Sequence, residues 1–200
     1  MPNRDGDTPA EKPSEQAEAI WAPWRLQYLE TLEDEPAPKT HDVKPASSAS
    51  SFLSEYWASP DHDEQNHVIE RTATGMILLN GFPYANGHLL VALGDARPRL
   101  LDYAPEQRAD LWALVDRAAE LMEAALPIQG LNIGVNQGRA AGAGIPQHLH
   151  VHLVPRWGGD VNFITTVGGI RVIPSALEAM AERYRKVGRR PTERGGSISG

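Results

Sequence analysis

The chain has 200 residues, with 26 carboxylates against 19 lysines and arginines and a formal net charge of −7. That balance argues against general nucleic-acid binding, because no basic face is available to displace counterions from a phosphate backbone. The absence of cysteine excludes disulfides, thiolate metal sites and a cysteine nucleophile.

Residues 1–19 are polar and contain proline, with little to bury, and are expected to be a disordered tail. Residues 20–50 read as a docking arm followed by a linker. Ile20, Trp21, Trp24, Leu26, Tyr28 and Leu29 form a dense apolar cluster, and from Glu33 the composition returns to Pro, Ser, Ala and charge. A core domain is expected over 51–187. Its strand candidates are His67–Glu70, Gly75–Asn80 and His88–Leu93, the last two joined by the turn-rich Gly81–Gly87. Pro105–Leu126 carries apolar residues at helical spacing, opens on a proline and stops before Pro127. Strands are expected at Gly130–Asn136 and Gln147–Val154, flanking a glycine-rich loop, and a short helix at Ser175–Val187. Residues 188–200 read as a flexible tail. The order β-β-β-α-β-β-α predicts an α+β fold, a mostly antiparallel sheet with one long helix and a short C-terminal helix. No apolar run is long enough to cross a bilayer, and the N-terminal stretch lacks the layout of a secretory signal, so a cytoplasmic location is expected.

Three of the seven histidines fall in QHLHVHLVPRW, at His148, His150 and His152. On a strand, alternate side chains share a face, so the imidazoles stand in a row roughly 7 Å apart and Leu149, Val151 and Leu153 point to the core. That spacing suits contacts around a phosphate chain, and it also suits ligands reaching toward one metal. The neighbouring loop tilts the balance. Gly138, Gly142 and Gly144 let backbone N–H groups approach an anion, and Arg139 adds charge. A neutral imidazole near pH 7 is a competent nucleophile at phosphorus. His41, His62 and His67 read as solvated bystanders.

His148-Leu149-His150-Val151-His152-Leu153-Val154 resembles the signature of the histidine-triad (HIT) family of nucleotide hydrolases and transferases. WAPWR at Trp21–Arg25, LNGFPYANGHLLV at Leu79–Val91, GLNIGVNQGRAAGAG at Gly130–Gly144 and HLHVHLVPRWGGDVNF at His148–Phe163 are similar to the bacterial branch that includes diadenosine tetraphosphate phosphorylases and hydrolases. The resemblance implies a HIT-like fold, a homodimer, and a nucleotide or dinucleoside polyphosphate as the partner. It makes His150 the nucleophile, with His152 and His148 bonding the phosphate or holding the geometry. It places Gln137 at a phosphate-contacting position and Asn80 at a ribose-contacting one. Gly142 and Gly144 are expected at the substrate, and Gln147 offers a further amide. Ile77, Leu79 and Phe82 are candidates to sandwich the base, and His88 is expected to be structural.

The sequence also departs from the family. Many relatives carry a structural zinc site that begins with Cys-x-x-Cys; here that stretch is Ser51-Phe52-Leu53-Ser54, a third ligand histidine aligns with Ala96, and only His148 remains. One imidazole and two hydroxyls do not hold zinc, so the site is expected to be absent, and the reaction to require no metal beyond Mg²⁺ accompanying a polyphosphate. Gly144-Ile145 stands where some relatives place Gln followed by Ser or Thr, which leaves water or inorganic phosphate open as acceptor. Two other readings fit the residues: a nucleotide-binding sensor without turnover, and a metal-binding protein that uses the triplet as ligands.

Overall fold

A computed structural model describes residues 51–160 and 173–189. The expected tail at 1–19, the arm and linker at 20–50, the motif residues Val161–Phe163 and residues 190–200 lie outside the described residues. Five strands, β1 (Val68–Arg71), β2 (Gly75–Leu79), β3 (Leu89–Leu93), β4 (Gly130–Val135) and β5 (Val151–Arg156), form one sheet in the order β1-β2-β3-β5-β4, with every neighbouring pair antiparallel. The helices are α1 (Phe52–Ala58), α2 (Pro105–Ala125) and α3 (Leu177–Gly188).

Strand alternation divides the apolar residues between two faces. Ile77 and Leu79, Leu89, Val91 and Leu93, and Leu149, Val151 and Leu153 point to one side, where they pack against α2 and α3. Met76, Leu78, Leu90 and Ala92 point to the other and are covered by Leu53, Tyr56 and Trp57 of α1. Because β2 and β3 are buried on both faces, they read as continuous apolar runs. α2 turns Leu111, Leu114, Val115, Ala118, Leu121, Met122 and Ala125 toward the sheet. Pro105 opens the helix, and the Gln107 side chain accepts the Ala104 N–H at 3.0 Å. Cutting a buried Leu or Met of this face to Ala costs about 2–5 kcal/mol.

α3 is tied to the turn before β3. The Tyr184 hydroxyl donates to the Gly87 carbonyl at 2.7 Å. Gly87 has φ +85°, and a Cβ there would lie 2.6 Å from Leu126 Cδ1, so both conformation and packing require glycine.

Two elements differ from the sequence reading. α1 is absent from that reading, since seven residues carry little periodic signal; its N-cap Ser51 accepts the Ser54 N–H. β5 begins at Val151 rather than Gln147. The Leu149 N–H bonds the Arg97 carbonyl at 2.8 Å, and the His148 ring takes the Leu93 carbonyl, so side-chain and loop partners replace the ladder before Val151. Among the described residues no helix is long and apolar enough to cross a membrane.

Candidate active site

The three histidines do not form one uniform row. His148 is fully buried and both of its ring nitrogens are engaged. Nε2 lies 2.8 Å from the Leu93 carbonyl, which can only accept, so Nε2 carries the proton. Nδ1 lies 2.8 Å from Ser51 Oγ and 3.2 Å from Ser54 Oγ, and it therefore accepts from a serine hydroxyl. Burial pushes the His148 pKa down and favours this neutral tautomer. His148 cannot also bond a ligand phosphate. Both ring nitrogens therefore serve to hold the segment before His150.

The His148 carbonyl accepts from His150 Nδ1 at 2.9 Å, so His150 is protonated at Nδ1 and keeps a lone pair on Nε2. Every fully buried side-chain N or O among the described residues has a partner. His150 Nε2 has none among them, and so it reaches solvent although the residue is only 5% exposed. Burial also holds the His150 pKa below the ordinary imidazole value.

His152 is set from the opposite side. The Tyr84 N–H donates to His88 Nδ1 at 3.1 Å, so His88 holds its proton on Nε2, 3.0 Å from His152 Nδ1. His152 Nδ1 then accepts, which leaves its Nε2–H as a donor. Burial, and secondarily His150, pull the His152 pKa from 6.5 to about 4. The Tyr84 ring stacks on His152 at 5.7 Å and lies 4.8 Å from the His88 ring. Two neutral rings thus present opposite chemistry, a lone pair on His150 and an N–H on His152, with centroids 4.9 Å apart.

Other expected residues fall in different places. Gln137 is exposed, and its Oε1 accepts the Leu100 N–H at 2.9 Å, so its amide bridges two loops and only Nε2 stays open toward a ligand. The sequence reading missed Asn136. Val135 pairs with Val151, so the next position places Asn136 across from His150 on the triad's face. Asn80 Oδ1 accepts the Phe82 N–H at 2.9 Å, and its Nδ2 lies 3.3 Å from His88 Nδ1, so the side chain braces the turn that holds His88. Gly142 lies in a tight turn. It sits at φ +83° and its N–H is taken by the Arg139 carbonyl, so it offers nothing to an anion. The Gly144 N–H bonds nothing among the described residues, and Gln147 is exposed just before His148. Ile77 and Leu79 lie in the helix-side core, on the face away from the triad, so neither sandwiches a base; Phe82 is 87% exposed on its turn. His88, expected to be structural, is fully buried and in contact with the triad. The signal that could have found it was its place directly after a glycine that must turn.

The Ser51–Ser54–His148 corner does not fit zinc. It offers two hydroxyls and one imidazole nitrogen already hydrogen-bonded to them. Among the described residues no group of three or more His, Asp or Glu side chains is placed to hold a metal ion.

The HIT domain family model matches residues 62–159. The AP-4-A phosphorylase of Mycobacterium tuberculosis is 37% identical over 163 residues, 82% of this chain and 80% of that protein. The asymmetrical bis(5'-nucleosyl)-tetraphosphatase of Schizosaccharomyces pombe is 35% identical over 95 residues, 48% of this chain and 52% of that one. The crystal structure of a Zn-bound histidine triad family protein from Mycobacterium smegmatis superposes with a TM-score of 0.54 at 28% identity, covering 66% of this chain and 90% of that one. Sequence, fold and the histidine arrangement agree, and the chain belongs to the HIT domain family.

Proposed function

We propose that this protein cleaves dinucleoside polyphosphates through a nucleotidyl group carried on His150. The observation that carries the reading is the His150 Nδ1 to His148 carbonyl hydrogen bond, which keeps the reactive lone pair on Nε2. In the first step Nε2 attacks the α-phosphorus, a P–N bond forms, and the P–O bond to the leaving polyphosphate breaks. The His152 Nε2–H and the Asn136 amide face the oxygens on which charge develops. Gln137 Nε2, the Gly144 N–H and the Gln147 amide are the further donors proposed for the phosphate oxygens. Asn80 retains an oxygen lone pair and an amide hydrogen for a ribose hydroxyl. In the second step an acceptor attacks the same phosphorus, the P–N bond breaks, and His150 regains its lone pair. Inorganic phosphate is the proposed acceptor, supported by the phosphorylase name of the M. tuberculosis relative.

The triad itself needs no metal in this scheme; Mg²⁺ enters only with a polyphosphate substrate. A homodimer is proposed because β4 is an edge strand with Ile133 45% exposed, an apolar edge that a second copy would cover. The proposed organisation remains a tail and docking arm before Ser51 and one domain after it, in a cytoplasmic protein.

The test is product analysis. Chelator-treated protein is incubated with diadenosine tetraphosphate, with and without inorganic phosphate. Nucleotides that incorporate the added phosphate support phosphorolysis, AMP in its place means hydrolysis, and an intact substrate overturns the proposal.

A further inference from the structure

We propose that Arg99 and Arg139 form a cationic grip for the leaving phosphate chain of the substrate, an inference that rests on the function proposed above. The chain is acidic overall, and most of its described arginines are occupied. Arg71, Arg97, Arg117 and Arg156 each hold a carboxylate. Three more, Arg108, Arg183 and Arg185, donate to main-chain carbonyls. Of the remainder, Arg189 is the C-cap that follows α3, and the other two flank Gln137.

The hydrogen bonds fix that juxtaposition. Gln137 Oε1 accepts the Leu100 N–H at 2.9 Å, which brings the segment containing Arg99 onto the glycine loop that carries Arg139 two residues further on. The Arg97 carbonyl accepts the Leu149 N–H at 2.8 Å, so the same segment runs alongside the chain immediately before His150. Both arginines are exposed, and their side chains hydrogen-bond or ion-pair with nothing among the described residues. The nearest acid on that segment, Asp102, accepts the Arg99 backbone N–H rather than its guanidinium.

This placement suits one part of the substrate. The α-phosphate belongs to His150, His152 and Asn136, whereas the phosphates beyond it carry most of the negative charge and have no other cation within the triad, whose rings are neutral. Two guanidiniums on separate loops bind such a chain through charge and paired N–H donors. They would make longer chains better substrates than shorter ones.

The test measures binding by calorimetry in the full-length protein at low and high salt, with inorganic tripolyphosphate and AMP as probes. The expected result is that the double variant Arg99→Ala, Arg139→Ala binds tripolyphosphate roughly tenfold more weakly at low salt, with the difference shrinking as salt rises. AMP binding and the melting temperature are expected to stay unchanged, and the Arg→Lys pair at both positions is expected to bind tripolyphosphate with an affinity between wild type and the alanine variant, because it keeps the charge and loses the paired N–H donors. The inference is overturned if wild-type protein does not bind tripolyphosphate, if the alanine variant binds it as wild type does, or if both probes are lost in parallel. Should wild-type protein leave diadenosine tetraphosphate uncut while the alanine variant still loses tripolyphosphate, the phosphate grip stands and the proposed cleavage falls.

Discussion

The two ends of the histidine row use the same side chain in opposite ways. At one end His148 is sealed between the Ser51 and Ser54 hydroxyls and the Leu93 carbonyl, and neither nitrogen is left over. At the other end His150 and His152 each have one nitrogen fixed by the protein and one turned outward. Residue identity and alternate spacing are the same along the row. Which imidazoles are available for chemistry is decided by the partners that the surrounding elements supply, α1 on one side and the Asn80–His88 turn on the other.

That contrast is most easily broken at its centre. Replacing His150 with Ala is expected to lower turnover by about 10³-fold or more, with a smaller stability cost of about 1–2 kcal/mol from the lost ring and its bond to the His148 carbonyl. His148→Ala should do the reverse in kind. It removes a buried ring and orphans the Leu93 carbonyl, at a cost of about 2–4 kcal/mol in denaturant unfolding, with activity falling because the segment that holds His150 loosens. A His148→Ala variant as stable as wild type would remove the distinction between the two ends.

His88→Ala deprives His152 Nδ1 of its donor, so the ring is free to take the other tautomer; kcat should fall about 10²-fold with KM changing much less. Ser51→Ala removes both the cap of α1 and a donor to His148, and should cost about 1–2 kcal/mol in thermal unfolding.

The pH dependence follows from His152. Its native pKa is about 4 against 6.5 for an ordinary imidazole, so in the window between those values the unfolded chain binds a proton that the folded site refuses. Stability should therefore fall as the pH drops through that window, as followed by chemical denaturation. The acid limb of activity set by His152 should lie near its native value rather than at 6.5. A limb at 6.5 would mean that the ring is not held neutral by its surroundings.

Much of this was legible in the sequence, for physical reasons. Strand alternation places Leu149, Val151 and Leu153 in the core whatever the side chains between them do, and the periodicity of Pro105–Ala125 is strong enough to identify the long helix. What was illegible depends on partners distant in the chain. Nothing local marks His148 as sealed, because its serines are 97 and 94 residues away. Gln137 and Asn136 are adjacent amides, and only the pairing of β4 with β5 shows that Asn136 shares the face of His150 while Gln137 turns to Leu100. Gly142 and Gly144 look alike as letters. One has its N–H bonded within a turn and the other does not.

The tautomeric state of the three imidazoles, read from ¹⁵N shifts and long-range couplings of histidine-labelled protein near pH 7, tests the assignment of His150 as nucleophile most directly. His150 should be protonated at Nδ1 with a bare Nε2, and His148 and His152 should both be protonated at Nε2. A His150 ring carrying its proton on Nε2 would contradict that assignment, because no lone pair would then face the substrate.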